Sequence, residues 1–166
     1  MPFVIRYPKK LPAGKRVKDL ILNIDFAPTL AQFAGINSPK DIQGHSFVDN
    51  LCGRTPKNWR KSFYYRYWTH HIIRPAHMGI RNERYKLIFH YGVPLDMTDG
   101  QELPTKPVWD FYDLQKDPRE DHNVYDEEEY APVIRQMKKE MIKLRTEVGD
   151  TDEKYPQMIK LLDEYF

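Results

Sequence analysis

The spacing of apolar and polar positions changes along this chain, and each change predicts a different element. Phe3, Val4 and Ile5 are a short apolar run between Pro2 and Pro8, which predicts a buried strand stub, and such a stub needs neighbours to cover it. A basic stretch follows over residues 8–18, with Lys9, Lys10, Lys15, Arg16 and Lys18, and reads as a solvated loop. Leu30, Phe33 and Ala34 fall at helical spacing behind Asp25, a favoured N-cap, and Gly35 stands where a helix stops. Pro28 is tolerated there because the first turn leaves its missing N–H without consequence. Residues 36–60 are rich in glycine, proline and polar side chains and predict loop, one helical turn near residues 46–51, and a linker.

From residue 62 the pattern turns to strand. Residues 63–68 are nearly all β-formers. Residues 78–81 and 85–89 flank Asn82, Glu83 and Arg84 as a hairpin. Residues 93–106 are a polar excursion, after which residues 109–114 alternate large and acidic side chains as a half-buried strand. Tyr130, Val133, Ile134, Met137, Met141, Leu144 and Val148 then follow at steps of 3, 1, 3, 4, 3 and 4, one face of a long amphipathic helix. A second helix is expected over residues 155–165. The fold expected is α+β: a small antiparallel sheet of about four strands packed by the long C-terminal helix and preceded by an α/β remnant.

Composition narrows the function. The 166 residues hold 26 Lys and Arg against 24 Asp and Glu, a formal charge of +2, too balanced for a nucleic-acid footprint. No apolar run reaches the ~20 residues of a membrane span, and the first residues do not read as a secretory signal. The single Cys52 precludes an internal disulfide and a cysteine-built zinc site. The sequence shows no Gly-rich phosphate loop, nucleophile elbow or His-Glu-x-x-His motif.

The densest polar cluster runs from Tyr64 to His71 and on to Arg74, His77 and Arg81. Three readings of it stand side by side. Histidines could ligate a metal, but His70 and His71 as strand neighbours would point to opposite faces and no carboxylate lies nearby. Aromatic faces with Arg and His donors suit an anionic sugar. The aromatics could also simply pack a sheet. The same cluster lacks the glycines of a single-strand RNA-binding sheet.

Several segments in order carry a family resemblance. They are Met1-Pro2-Phe3-Val4-Ile5-Arg6-Tyr7-Pro8, Asn23-Ile24-Asp25-Phe26-Ala27-Pro28-Thr29-Leu30 with Ala34-Gly35, and Gln43-Gly44-His45-Ser46-Phe47. They continue with His77-Met78-Gly79-Ile80-Arg81, Arg84-Tyr85-Lys86-Leu87-Ile88, and Phe111-Tyr112-Asp113-Leu114 with Asp117-Pro118-Arg119-Glu120 and Asn123. Together they resemble the C-terminal part of type I sulfatases, the formylglycine-dependent sulfate-ester hydrolases of the alkaline phosphatase superfamily, and in particular N-acetylglucosamine-6-sulfatase-like and arylsulfatase-like members. The resemblance implies that residues 1–55 are the tail of the large catalytic domain and residues 56–166 the C-terminal subdomain. It implies a sulfated sugar, such as a glycosaminoglycan, as substrate of the whole enzyme, with calcium and formylglycine as its cofactors. It supplies no catalytic and no metal residue here, because the family's nucleophile motif and calcium ligands are expected upstream of these residues, and Cys52 does not fit the Cys/Ser-x-Pro/Ala-x-Arg motif, since Arg54 stands where Pro or Ala is needed.

Further expectations follow from the resemblance. This chain would supply one wall of the substrate cleft, pack on the missing N-terminal catalytic domain, and be inactive alone. His77 is the first substrate-binding candidate, with His71 and Arg74 behind it. Self-association through uncovered apolar surface is expected, with no nucleic-acid or membrane partner. The family suggests a periplasmic, secreted or lysosomal location. The alternative is a stand-alone, non-catalytic module that binds acidic sugars or a protein partner.

Overall fold

A computed structural model describes residues 3–95 and 103–166. Part of the polar excursion lies outside these residues. The chain divides into two compact units, Met1–Arg60 and Lys61–Phe166.

In the first unit a 3-10 turn, Asn23–Asp25, leads into helix α1, Phe26–Ala34, and a single turn, α2, spans Val48–Leu51. Gly35 closes α1 in the left-handed region at φ 74°, where a side chain would strain the backbone, and Ile36 N–H bonds back to Ala31 O. The expected cap is corrected: Asp25 gives α1 no side-chain cap. Its fully buried carboxylate instead accepts Leu22 N–H and His45 N–H at 2.8 Å each, and both Arg60 Nη atoms. Thr29 Oγ1 donates to Asp25 O and accepts Phe47 N–H, so one buried acid and one hydroxyl tie the helix to two loops. A Cβ on Gly44 would lie 1.9 Å from Ile24 O, and the backbones can approach only because glycine stands there. The strand stub is also corrected. Phe3, Val4 and Ile5 are not in a strand, Val4 is 91% exposed, and Phe3 instead sets its ring against Phe26 and Phe47. Three apolar residues are too few to recruit a ladder without partner strands. On α1, Pro28 and Thr29 are buried while Leu30 faces outward.

In the second unit, four strands among the described residues form one antiparallel sheet in sequence order. They are β1 Ser62–Tyr67, β2 His77–Asn82, β3 Tyr85–His90 and β4 Val108–Asp113. The β2–β3 turn is held by Asn82 Oδ1, which accepts the N–H groups of Arg84 and Tyr85. Met78, Ile80, Leu87, Phe89, Trp109 and Phe111 alternate onto one face. Helix α3, Ala131–Glu147, lays Ile134, Met137 and Met141 on that core. Helix α4, Pro156–Tyr165, adds Met158, and Trp109 Nε1–H donates to Tyr165 O at 2.9 Å. The expected sheet and long helix are both present.

The helical side also buries an ionic network. Asp150 accepts from Tyr64 Oη and from Arg66 Nη1, and Arg145 Nη2 donates to Asp152 at 2.7 Å. Arg66 sits over the Trp68 ring at 3.8 Å.

Candidate functional site

Register decides which side chains share the second face of the sheet. Opposite partners form three rows: Phe63, Arg81, Lys86, Tyr112; then Tyr65, Gly79, Ile88, Asp110; then Tyr67, His77, His90, Val108. Both helices pack on the other face, which leaves this one to aromatic, cationic and histidine side chains. Gly79 is required by the middle row. A Cβ there would lie 2.7 Å from Leu87 O and 2.8 Å from Tyr65 Oη, so the Tyr65 ring lies across the gap that glycine leaves.

His77 is half-buried at the centre of a ring ladder. Its imidazole stacks on Tyr67 with centroids 5.3 Å apart at 24°, meets Tyr65 edge-on at 5.9 Å, and lies 5.2 Å from the His90 ring. Its Nδ1 is 2.8 Å from Pro75 O. A carbonyl only accepts, so Nδ1 carries the proton. Burial pushes the His77 pKa below the ordinary imidazole value, the bond to Pro75 O opposes this, and the charges of His90 and Lys86 add to the lowering. His90 Nε2 meets Asp110 Oδ2 at 2.9 Å, and this bond holds the Asp110 carboxyl below the usual range. His90 Nδ1 is buried with no hydrogen-bond partner among the described residues. Tyr112 is pushed up to about 12 by burial and by the Asp110 charge. In the first row Arg81 is exposed, while Lys86 pairs with Glu120. The face thus offers flat rings, one imidazole held in a fixed tautomer, and cations two rows away.

The structure does not bring the three candidate residues into one contact. β1 ends at Tyr67, so His70 and His71 are not strand neighbours. His71 and Arg74 face each other across an isolated bridge, with His71 N–H on Arg74 O at 3.2 Å and Arg74 N–H on His71 O at 2.9 Å. This is a tight turn with Arg74 exposed, and none of the contacts that hold His77 involves either residue. His70 is fully buried. Its Nδ1 accepts Ala76 N–H and its Nε2 donates to Leu103 O at 2.9 Å, which pins the loop that delivers His77.

Tyr65 and Tyr67 lay within the polar cluster read from the sequence, whereas His90 and Asp110 escaped it, because they join His77 only through register. The signal was present: the short turn after Asn82 fixes the hairpin, and the hairpin pairs His77 with His90.

Elsewhere, a cleft of about 440 Å³ in the first unit is lined by His45, Asn58, Trp59 and Arg60 among others. Cys52 is a free, partly buried thiol. Among the described residues no three His, Cys, Asp or Glu side chains come together as a metal site. Asp25, Asp110, Asp113 and Asp150 are each committed to an Arg or His, so these carboxylates do not form the set a calcium ion needs. No helix of the described residues is long and apolar enough to cross a membrane.

A four-stranded antiparallel sheet with the Gly-Ile-Arg hairpin at its centre and a long helix on one face is the architecture of a sulfatase C-terminal part. Residues 1–147 match the family described as N-sulphoglucosamine sulphohydrolase, C-terminal, and the chain belongs to it. It is 38% identical over 171 residues to N-acetylglucosamine-6-O-sulfatase of Bacteroides thetaiotaomicron, covering 96% of this chain and 28% of that protein. It is 30% identical to an arylsulfatase of Clostridium perfringens, over 99% of this chain and 31% of that protein. Among solved structures it superposes with a TM-score of 0.75 and 33% identity on a protein in complex with its substrate, D-glucosamine-2-N,6-O-disulfate. That match covers 92% of this chain and 29% of the other. The chain therefore spans less than a third of the length of these relatives.

Proposed function

We propose that this chain forms one wall of the substrate cleft of a sulfatase that acts on sulfated sugars. In this reading His77 touches the sugar, with His71 and Arg74 behind it. The chain packs on a catalytic domain that supplies the nucleophile and the calcium. The observation that carries the reading is the placement of His77. It sits on the hairpin whose motif marks the family, on the face the helices leave open, between aromatic rings and within two rows of Arg81 and Lys86. Rings can lie against sugar faces, and cations draw in a sulfated ligand. The relatives' names supply the substrate class.

A sulfate ester cannot be cleaved at speed by this wall alone, because nucleophilic attack at sulfur needs an activated nucleophile and a cation to take up charge. The 166-residue chain is expected to release nothing from an aryl sulfate in the presence of calcium. It is also expected to bind sulfated glucosamine in preference to glucosamine, and to bind the sulfated sugar more weakly in His77→Ala. Turnover by the chain alone would overturn its assignment as a wall, and equal binding of both sugars by His77→Ala and the parent chain would overturn the role of His77.

A further inference from the structure

The sulfated sugar could be met by His77 in two opposite ways. An imidazolium would donate to the sulfate. A neutral imidazole would accept from a hydroxyl or amino group of the sugar. The geometry around the ring separates them.

Nδ1 is taken by Pro75 O at 2.8 Å, and that oxygen can only receive a proton, so the neutral ring must keep its hydrogen on Nδ1. The remaining nitrogen, Nε2, then bears a lone pair, and it is hydrogen-bonded to none of the described residues. The ring cannot turn over to exchange the nitrogens without giving up this bond, and its stacking on Tyr67 and edge contact with Tyr65 hold its plane. The neighbours from each adjoining strand are Tyr65 and Tyr67 on β1, Arg81 on β2 itself, Lys86 and His90 on β3, and Asp110 on β4. Asp110, the one acid among them, is occupied by His90 at 2.9 Å. No carboxylate is hydrogen-bonded to His77; Asp110 favours a charge on the ring only from a distance, while burial, His90 and Lys86 oppose one.

We infer that His77 reads its ligand as a hydrogen-bond acceptor, its Nε2 taking a proton from a sugar hydroxyl or amino group, and that the sulfate is met by other groups. The inference rests on the reading of this face as a substrate wall and adds to it which chemical group the wall recognises. It assigns His90 and Asp110 a positioning role. Asp110 Oδ2 is held by His90 Nε2, and the His90 ring, 5.2 Å from that of His77, is the neighbour that faces it from β3. Lys86 pairs with Glu120 and Arg81 is exposed, which leaves Arg81 as the cation in these rows open to an anion.

The test uses the whole chain, labelled at its histidine nitrogens. Long-range proton–nitrogen spectra at pH 7 should show His77 protonated at Nδ1 and bare at Nε2. D-glucosamine 6-sulfate should shift the Nε2 resonance, and inorganic sulfate should not. His77→Gln, whose amide oxygen still accepts, should bind this sugar within about threefold of the parent chain. His77→Lys, which only donates, should weaken binding about tenfold, the loss of one good hydrogen bond. A ring charged at pH 7, a proton on Nε2, a response to inorganic sulfate alone, or tighter binding by His77→Lys would overturn the inference. Sugar binding that leaves Nε2 unmoved overturns it while sparing the wall. A chain whose spectra respond to no sugar overturns the wall and the inference together.

Discussion

Replacing Asp25 by asparagine should unfold the first unit and leave the sheet standing. The acid is fully buried, and its oxygens take the Arg60 guanidinium and the N–H groups of Leu22 and His45. Asparagine keeps one accepting oxygen and turns an N–H₂ toward groups that themselves only donate. Arg60, with 15% of its side chain exposed, then loses its countercharge. Removing one partner of a buried pair costs about 3–5 kcal/mol. At roughly 0.05–0.15 kcal/mol per residue, a unit of about 60 residues carries only about 3–9 kcal/mol, so the loss is decisive. Two indole signals separate the units. Trp59 Nε1–H donates to Leu20 O, and Trp109 Nε1–H donates to Tyr165 O. In a urea titration of Asp25→Asn the Trp59 signal should be lost well before that of Trp109. The pH dependence has a fixed sign. Burial raises the Asp25 pKa, but Arg60 and the two backbone N–H groups outweigh it and hold it below 3.8. The stability it confers is therefore present above pH ~4 and is lost as pH falls through the lowered value. The variant should lack this acid limb. An Asp25→Asn chain whose Trp59 midpoint moves by less than about 1 kcal/mol would refute the account of Asp25 as the hub.

Gly79→Ala should lower the thermal midpoint of the second unit by the equivalent of about 1–3 kcal/mol, because its Cβ meets Leu87 O and the Tyr65 ring; an unchanged midpoint would contradict the close approach. Met141→Ala removes a fully buried side chain beneath the sheet and should cost about 2–5 kcal/mol in denaturant unfolding. Tyr64→Phe deletes the hydroxyl that donates to Asp150 but leaves Arg66 on that acid, so about 1–2 kcal/mol should be lost, read by the same titration.

The strands and the long helix were legible because their periods of two and 3.6 persist over many residues. The Met137 and Met141 face of α3 and the pairing of residues 78–81 with 85–89 could be read directly. Asp25 was misread because an acid before a helix looks the same whether it caps that helix or clamps a distant arginine, and Arg60 lies 35 residues away. The open face was half legible. His77 could be singled out from its segment, but Asp110 reaches it only through His90, by way of two strand pairings that are not local in sequence. His71 and Arg74 stood close to His77 along the chain, yet Pro75 and the fold of the turn give them contacts of their own.

The strands of the sheet stand side by side in the order in which they are synthesised. Each new ribbon docks on the one just before it, so the conformational search at every step covers only a connecting segment of chain. Such a meander should assemble quickly once its last helix is made, and its speed should not depend on the residues ahead of Lys61.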